Sequence, residues 1–189
     1  MQKRTVLALI VGALLVFSAV NATAQVRLDV DVPWIITAGL NLSDVTGSAS
    51  DSFDLSSFHL ILPYIDLAYQ FGNGIITGGV GIRAYTLLVE FMGWPMGYVE
   101  LNLKPIVARV ELGGFMFFLL GIYTDLYVDE YTLKVMIPDI SVSFAFTDWF
   151  RLGVGTTLVA PLGNLNNFGW MLYIDARFAF LFGGKKQAN

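Results

Sequence analysis

The single histidine of the sequence, His59, lies two residues after Ser57 and five after Asp54. A serine becomes a nucleophile when a base within hydrogen-bond reach takes its proton and a third group orients that base. On an extended strand, Ser57 and His59 would share a face at about 6.6 Å, which makes a dyad conceivable. A histidine beside ordinary turn residues explains the pattern with fewer conditions. We therefore predict no catalytic residues and no enzymatic activity.

Acidic residues recur in two segments that have loop composition. Carboxylate oxygens can bind calcium, but solvated loop charge is the commoner explanation of such a pattern. These acids are Asp51, Asp54, Asp125, Asp129 and Glu130. The glycine cluster Gly78-Gly79-x-Gly81 lies inside a strand pattern and does not connect a strand to a helix, so it does not predict a nucleotide loop. We expect neither a metal nor another cofactor.

Charged residues also occur at alternate positions inside strongly apolar stretches. In Val26–Ile36, for example, Arg27, Asp29 and Asp31 alternate with apolar residues. Because successive side chains of a strand point to opposite faces, such charges share one face. Unpaired buried charges are costly, so we predict a mutually paired network inside the protein. Its predicted members are Arg27, Asp29, Asp31, Asp66, Arg83, Glu100, Arg109, Glu111, Asp139, Arg151, Asp175 and Arg177.

Towards one end of the strands, the same inward face becomes apolar. The residues concerned are Ile35, Leu60, Leu62, Phe117, Leu119, Val135, Ile137, Val159 and Met171. Two interpretations remain open. The side chains could fill a dry, packed core, or they could line an apolar vestibule that accepts a small hydrophobic ligand.

The element that positions these residues is a strand, and the clearest example is Gly169–Phe182. One of its faces is entirely apolar, and the other carries Asp175 and Arg177. Strict alternation over this length is typical of a strand with one face in an apolar environment. Fourteen residues reach about 46 Å, enough to cross a hydrocarbon core of about 30 Å with the usual tilt.

A helical membrane protein would need uninterrupted apolar runs of about 20 residues. The best windows fail, since Ile75–Met92 contains Arg83 and Glu90, and Ile106–Thr124 contains Arg109 and Glu111. A soluble β-sandwich would need several more polar strands. The sequence therefore predicts an all-β fold, an eight-stranded antiparallel transmembrane β-barrel preceded by a cleaved signal peptide.

The predicted strands are separated by alternating short and long connections. The strands are Val26–Ile36, Phe58–Phe71, Ile75–Leu88, Tyr98–Leu103, Val107–Leu120, Tyr131–Phe146, Phe150–Val159 and Gly169–Phe182. Tight turns are expected at 72–74 and 147–149, and a turn or a bulge at Lys104-Pro105, where the alternation changes phase. Loops are expected at 37–57, 89–97, 121–130 and 160–168. The short turns should share the periplasmic end.

Residues 1–24 have the features of a secretory signal, with Lys3 and Arg4 before an apolar core and a small-x-small site ending at Ala24. The barrel is expected at 25–182 and a polar tail at 183–189. Without Lys3 and Arg4, nine basic residues remain against 15 acidic ones, which disfavours nucleic acid as a partner. The sequence contains no cysteine.

The last strand resembles the closing strand of bacterial outer-membrane β-barrels, which typically ends in an aromatic residue, as Phe182 does here. In that family the aromatic is usually the final residue, so the tail Gly183–Asn189 departs from the pattern. The whole chain after the signal is similar to small eight-stranded barrels, most to the OmpW type and next to the OmpA transmembrane domain.

That resemblance implies a place in the bacterial outer membrane, contact with its lipid, and assembly by the barrel assembly machinery through strand 169–182. It implies a narrow conduit or binding vestibule for small hydrophobic molecules. A structural or adhesive barrel that acts through its surface loops is the alternative.

Overall fold

The protein is a closed, eight-stranded antiparallel β-barrel. A computed structural model describes residues 25–39, 60–72, 74–87, 90–114, 118–121, 135–161 and 168–183. The strands are β1 (Gln25–Gly39), β2 (Leu60–Ile61), β3 (Tyr64–Phe71), β4 (Ile76–Leu87), β5 (Glu90–Leu103), β6 (Ile106–Gly114), β7 (Phe118–Gly121), β8 (Val135–Ala145), β9 (Phe150–Pro161) and β10 (Gly169–Phe182). β2 and β3 form one barrel strand along β1, and β6 and β7 form one along β5.

The barrel closes through β1 and β10, which pair along their whole length from Val26↔Phe182 to Gly39↔Trp170. The register shifts once, between Ile35 and Thr37. Each remaining barrel strand pairs with its neighbours in the chain. Closure satisfies the backbone donors and acceptors that an open sheet edge would leave unpaired. Within the described part of the chain, no helical segment has the length and apolar character that a membrane span requires.

Burial alternates along the strands with period two. In β3, Tyr64, Asp66, Ala68 and Gln70 are buried, whereas Ile65, Leu67 and Tyr69 are exposed. The inside of the barrel is therefore polar in its middle, and the outside is apolar. This is the reverse of a water-soluble protein.

Large side chains can cross the narrow lumen where the neighbouring strand has a glycine. Tyr98 of β5 reaches over Gly79 of β4 and donates a hydrogen bond from its hydroxyl to Gln70 of β3, at 3.0 Å. A Cβ atom on Gly79 would collide with the Tyr98 ring. The glycines of β4 thus leave room in the lumen, as their place within a strand pattern indicates.

Most predicted strand limits agree with the structure to within a few residues, and Gly169–Phe182 agrees at both ends. The turn at Lys104-Pro105 is confirmed, between the end of β5 at Leu103 and the start of β6 at Ile106.

The loop predicted at residues 89–97 is wrong, because β5 begins at Glu90. Gly93, Pro95 and Gly97 resemble loop residues locally, but β4 and β7 pair along this segment and supply a complete ladder. Pairing on both sides overrides local propensity.

Two further strands are longer than predicted. β1 continues to Gly39 and β9 to Pro161. Phe168, at the end of the predicted loop 160–168, is exposed and precedes β10. The rest of the predicted long loops, the predicted signal peptide at 1–24 and the tail beyond Gly183 lie outside the described residues.

Candidate functional site: the lumen of the barrel

The barrel interior brings together the charged residues that the alternation predicts on the inward face. Each of them is at most 8% exposed. The set comprises five guanidiniums, of Arg27, Arg83, Arg109, Arg151 and Arg177, and seven carboxylates, of Asp29, Asp31, Asp66, Glu100, Glu111, Asp139 and Asp175. The lumen therefore carries a formal excess of two negative charges.

Arg109 is the central member of the larger ion-pair cluster. Its guanidinium donates to Asp29 at 2.7 Å, to Asp66 at 3.1 Å and to Glu111 at 2.9 Å. These acids come from β1, β3 and β6, so one side chain connects opposite parts of the wall. The guanidinium also lies 4.0 Å from the ring centre of Tyr98. Fixed planar donors suit this shared role better than a lysine would.

Two other arginines extend the larger cluster. Arg83 forms a two-pronged pair with Asp66, with both bonds at 2.8 Å, and also binds Glu111 at 2.8 Å. Arg27 binds Asp29 at 2.7 Å and Glu100 at 3.1 Å, and Arg151 binds Glu100 at 2.9 Å. Four guanidiniums and four carboxylates result, so this cluster is formally neutral.

A smaller cluster joins β1 to β10 at the barrel closure. Arg177 binds Asp31 at 2.6 Å and lies 3.6 Å from Asp175. The carboxylates of Asp29, Asp31 and Asp66 come within 4.8 Å of one another, a spacing at which they could share a cation. Each of these three carboxylates already pairs with an arginine, so all three belong to the ion-pair clusters.

Asp139 was expected in the ion-pair network, but the structure gives it no arginine or lysine partner among the described residues. It is 2% exposed and lies opposite Glu111 on β6 and Thr157 on β9. Arg83 and Arg109 both bind the neighbouring Glu111. Instead, its oxygens accept hydrogen bonds from the hydroxyl of Tyr173, at 2.7 Å, and from that of Thr157.

Tyr173 reaches Asp139 across an intervening strand. β9 lies between β8 and β10, and Gly155 is the residue of β9 opposite Tyr173. A Cβ atom at Gly155 would collide with the Tyr173 hydroxyl. Because Gly155 has no side chain, the Tyr173 hydroxyl can pass over it and reach Asp139.

The residues predicted to form an apolar compartment fall into two groups. Val135 and Ile137 belong to a packed cluster with Ala68, Trp94, Met96 and Tyr98, and Val159 packs against it. Ile35, Leu62 and Met171 instead line a cavity on the side of the lumen near β1 and β10. Leu60 pairs with Ile35 but is 36% exposed. Phe117 and the side chain of Leu119 lie outside the described residues.

The cavity is partly open, and its remaining walls are Pro33, Tyr64, Tyr85, Thr157 and Tyr173. The space open to the centre of a water-sized group is about 20 Å³, enough for about one such group. With the space at its mouth, the empty volume is about 300 Å³. Tyr173 and Thr157 belong both to the cavity wall and to the hydrogen bonds of Asp139, so a buried carboxylate lies directly behind the wall.

Sequence reasoning missed Trp94 and Met96, which are 4% exposed each and fill the lumen. Both lie in the predicted loop 89–97, although they continue the alternation of Tyr98 and Glu100. Thr157 was also missed, and its place on the inward face of β9 was the available signal. Ser57, His59 and the loop acids Asp51, Asp54, Asp125, Asp129 and Glu130 lie outside the described residues.

No family model and no curated protein matches this chain. Among solved structures, Neisserial surface protein A (NspA) is similar at a TM-score of 0.39 and 10% sequence identity, over 85% of this chain and 99% of that one. Similarity at this level carries no information about function.

Proposed function

We propose that the protein is an integral protein of the bacterial outer membrane. The carrying observation is a continuous apolar exterior, in which every barrel strand exposes large apolar side chains. Examples, one from each barrel strand, are Trp34, Leu67, Val80, Val99, Val110, Ile140, Val154 and Ile174, all at least 43% exposed. An apolar surface of this extent is unfavourable in water and matches the lipid-facing band of outer-membrane barrels.

Support for a closed, non-conducting lumen comes from its contents. An eight-stranded barrel is just wide enough for its interior to be filled by side chains. Here the two ion-pair clusters occupy its middle, and Trp94 and Met96 fill part of the space beside them. A wide aqueous path is not compatible with this packing.

We propose further that the protein binds a small hydrophobic molecule in the partly open cavity lined by Ile35, Leu62 and Met171. Aliphatic and aromatic walls with a few polar groups are typical of small-molecule sites. Each methylene group removed from water there would contribute about 0.8 kcal/mol. The charged clusters close the lumen, so a ligand would enter and leave from the end remote from the short turns or sideways.

Leu62→Trp tests this proposal, because the larger side chain would occupy the cavity. The matched control is Leu60→Trp, two residues away on the same strand face but outside the cavity wall. With 1-octanol as probe and protein in zwitterionic lipid nanodiscs, calorimetry corrected for empty discs should show binding that Leu62→Trp weakens at least tenfold. Leu60→Trp should leave it unchanged.

Absence of octanol binding, or equal binding by both folded variants, would contradict the vestibule. The alternative function, a structural or adhesive barrel acting through its loops, would then be favoured, since the packed group around Ile137 needs no ligand to be complete.

We propose as well that the barrel assembly machinery assembles the protein through strand 169–182.

A further inference from the structure

We propose that the cavity recognises a primary ammonium group, so that its ligand is an amphiphile with a cationic head and a hydrocarbon chain. This inference rests on the proposed hydrophobic binding and names the class of ligand. The head would lie against Tyr173 and Thr157, in front of Asp139. The chain would extend between Ile35, Leu62 and Met171 towards the mouth.

The first support is an uncompensated charge beside the cavity. Asp139 is 2% exposed, and among the described residues it is the one lumen carboxylate that forms no ion pair. The larger ion-pair cluster is formally neutral, so it offers no surplus positive charge to Asp139. A buried charge without a counter-charge is expensive, and a bound cation would remove that cost.

The second support is the hydrogen-bond pattern at Asp139. Tyr173 donates to Oδ1 and Thr157 donates to Oδ2. Both carboxylate oxygens of Asp139 are thus held by hydroxyl groups that belong to the cavity wall. Each hydroxyl still has lone pairs free to accept. An ammonium group in the cavity can therefore donate to both hydroxyl oxygens while these continue to donate to Asp139.

The third support is the size and lining of the cavity. The space open to the centre of a water-sized group is about 20 Å³, which admits a primary ammonium, a group close to water in size with three donors, as in a lysine side chain. A trimethylammonium group is bulkier and has no N–H donor for the two hydroxyl oxygens. Tyr85 and Tyr173 add aromatic walls, whereas the ring of Tyr64 is already covered by the guanidinium of Arg83, 3.9 Å from its centre.

The test compares four probes with the same eight-carbon chain: octylamine, 1-octanol, octanoate and octyltrimethylammonium. Calorimetry is carried out at pH 7 on the full chain in zwitterionic lipid nanodiscs, with the heat from empty discs subtracted. Octylamine is protonated at this pH, as lysine is. We expect octylamine to bind at least tenfold more tightly than the other three.

Asp139→Asn keeps the shape of the side chain and removes the charge, so the preference for octylamine over octanol should disappear. Asp148→Asn, at an exposed turn acid, is the control and should retain the preference. If Asp139→Asn does not give a folded barrel, Tyr173→Phe decides, because it removes the hydroxyl and keeps the ring. It should lower octylamine affinity several-fold more than it lowers octanol affinity.

The outcomes separate this inference from the proposed function. If all four probes bind equally, or if Asp139→Asn and Tyr173→Phe both retain the octylamine preference, the ammonium site is overturned while the hydrophobic vestibule stands. If none of the probes binds, both are overturned. A loss of preference in these variants alone supports the ammonium site.

Discussion

At the scale of single residues, the lumen depends on arginines that are shared between strands. Arg109 is 2% exposed and bridges three carboxylates from different strands. Removing Arg109 would leave three guanidiniums against four carboxylates in the larger cluster, and an uncompensated buried charge is far costlier than the loss of the attraction itself. The exposed pair of Lys104 and Asp148, at 2.9 Å, lacks this property because water solvates both partners.

Arg109→Met should therefore destabilise the barrel by about 3–5 kcal/mol. Lys104→Met, which removes a cation from the exposed pair, should cost at most about 1 kcal/mol. Urea unfolding in lipid vesicles, followed by tryptophan fluorescence, measures both. Similar small losses from the two substitutions would show that the Arg109 contacts do not stabilise the fold.

At the scale of elements, the closing strand β10 combines two properties. It pairs with β9 on one side and with β1 on the other, so it completes the wall. It also ends in Phe182, which is 53% exposed and forms the first residue pair of the β1–β10 ladder with Val26. If the barrel assembly machinery acts through strand 169–182, as we propose, this exposed aromatic is the feature that it would recognise before the barrel closes.

Phe182→Ala should reduce the amount of barrel in the outer membrane several-fold in cells, because recognition during assembly is weakened. The matched control is Phe146→Ala, at an aromatic of similar exposure, 57%, beside the turn between β8 and β9. Heat-dependent gel migration of membrane fractions measures folded protein. Both variants should refold equally well in detergent; a refolding defect specific to Phe182→Ala would assign its effect to stability instead.

At the scale of the whole molecule, the apolar exterior and the filled lumen have a common consequence. We expect the barrel to lie in a bilayer without opening a path through it, because the lumen charges other than Asp139 are paired with one another. Ion pairs cross the lumen from β1 to β6 and from β4 to β6, so interior side chains also connect strands that are not neighbours in the sheet.

The unmutated protein, reconstituted in planar bilayers, should therefore show no large, stable ion conductance. Its insertion is verified on the same preparation by a β-type circular dichroism spectrum and by different gel migration before and after boiling. Recurrent large conductance steps from verified barrels would mean that the clusters do not close the lumen.

Much of the fold followed from alternation along the chain. A strand has a side-chain period of two, and a shift by one residue would move every charge into the apolar surroundings. The inward position of residues as different as Arg27, Asp66 and Arg177 could therefore be derived from each strand separately. The prediction of a loop at 89–97 was wrong because the glycines and the proline of this segment are typical of loops in isolation. The strands that pair with it lie elsewhere in the chain.

Alternation and segment lengths were enough to predict which face of each strand is polar, how many strands there are, and that the last one closes the wall. It could not determine which inward side chains meet, because partners lie up to 146 positions apart and depend on the stagger between strands. Only the tertiary structure separated Asp139 from the paired charges and placed Tyr173 over Gly155. It also divided the apolar residues between a packed cluster and a cavity, since packing depends on the side chains that converge from all sides of the lumen.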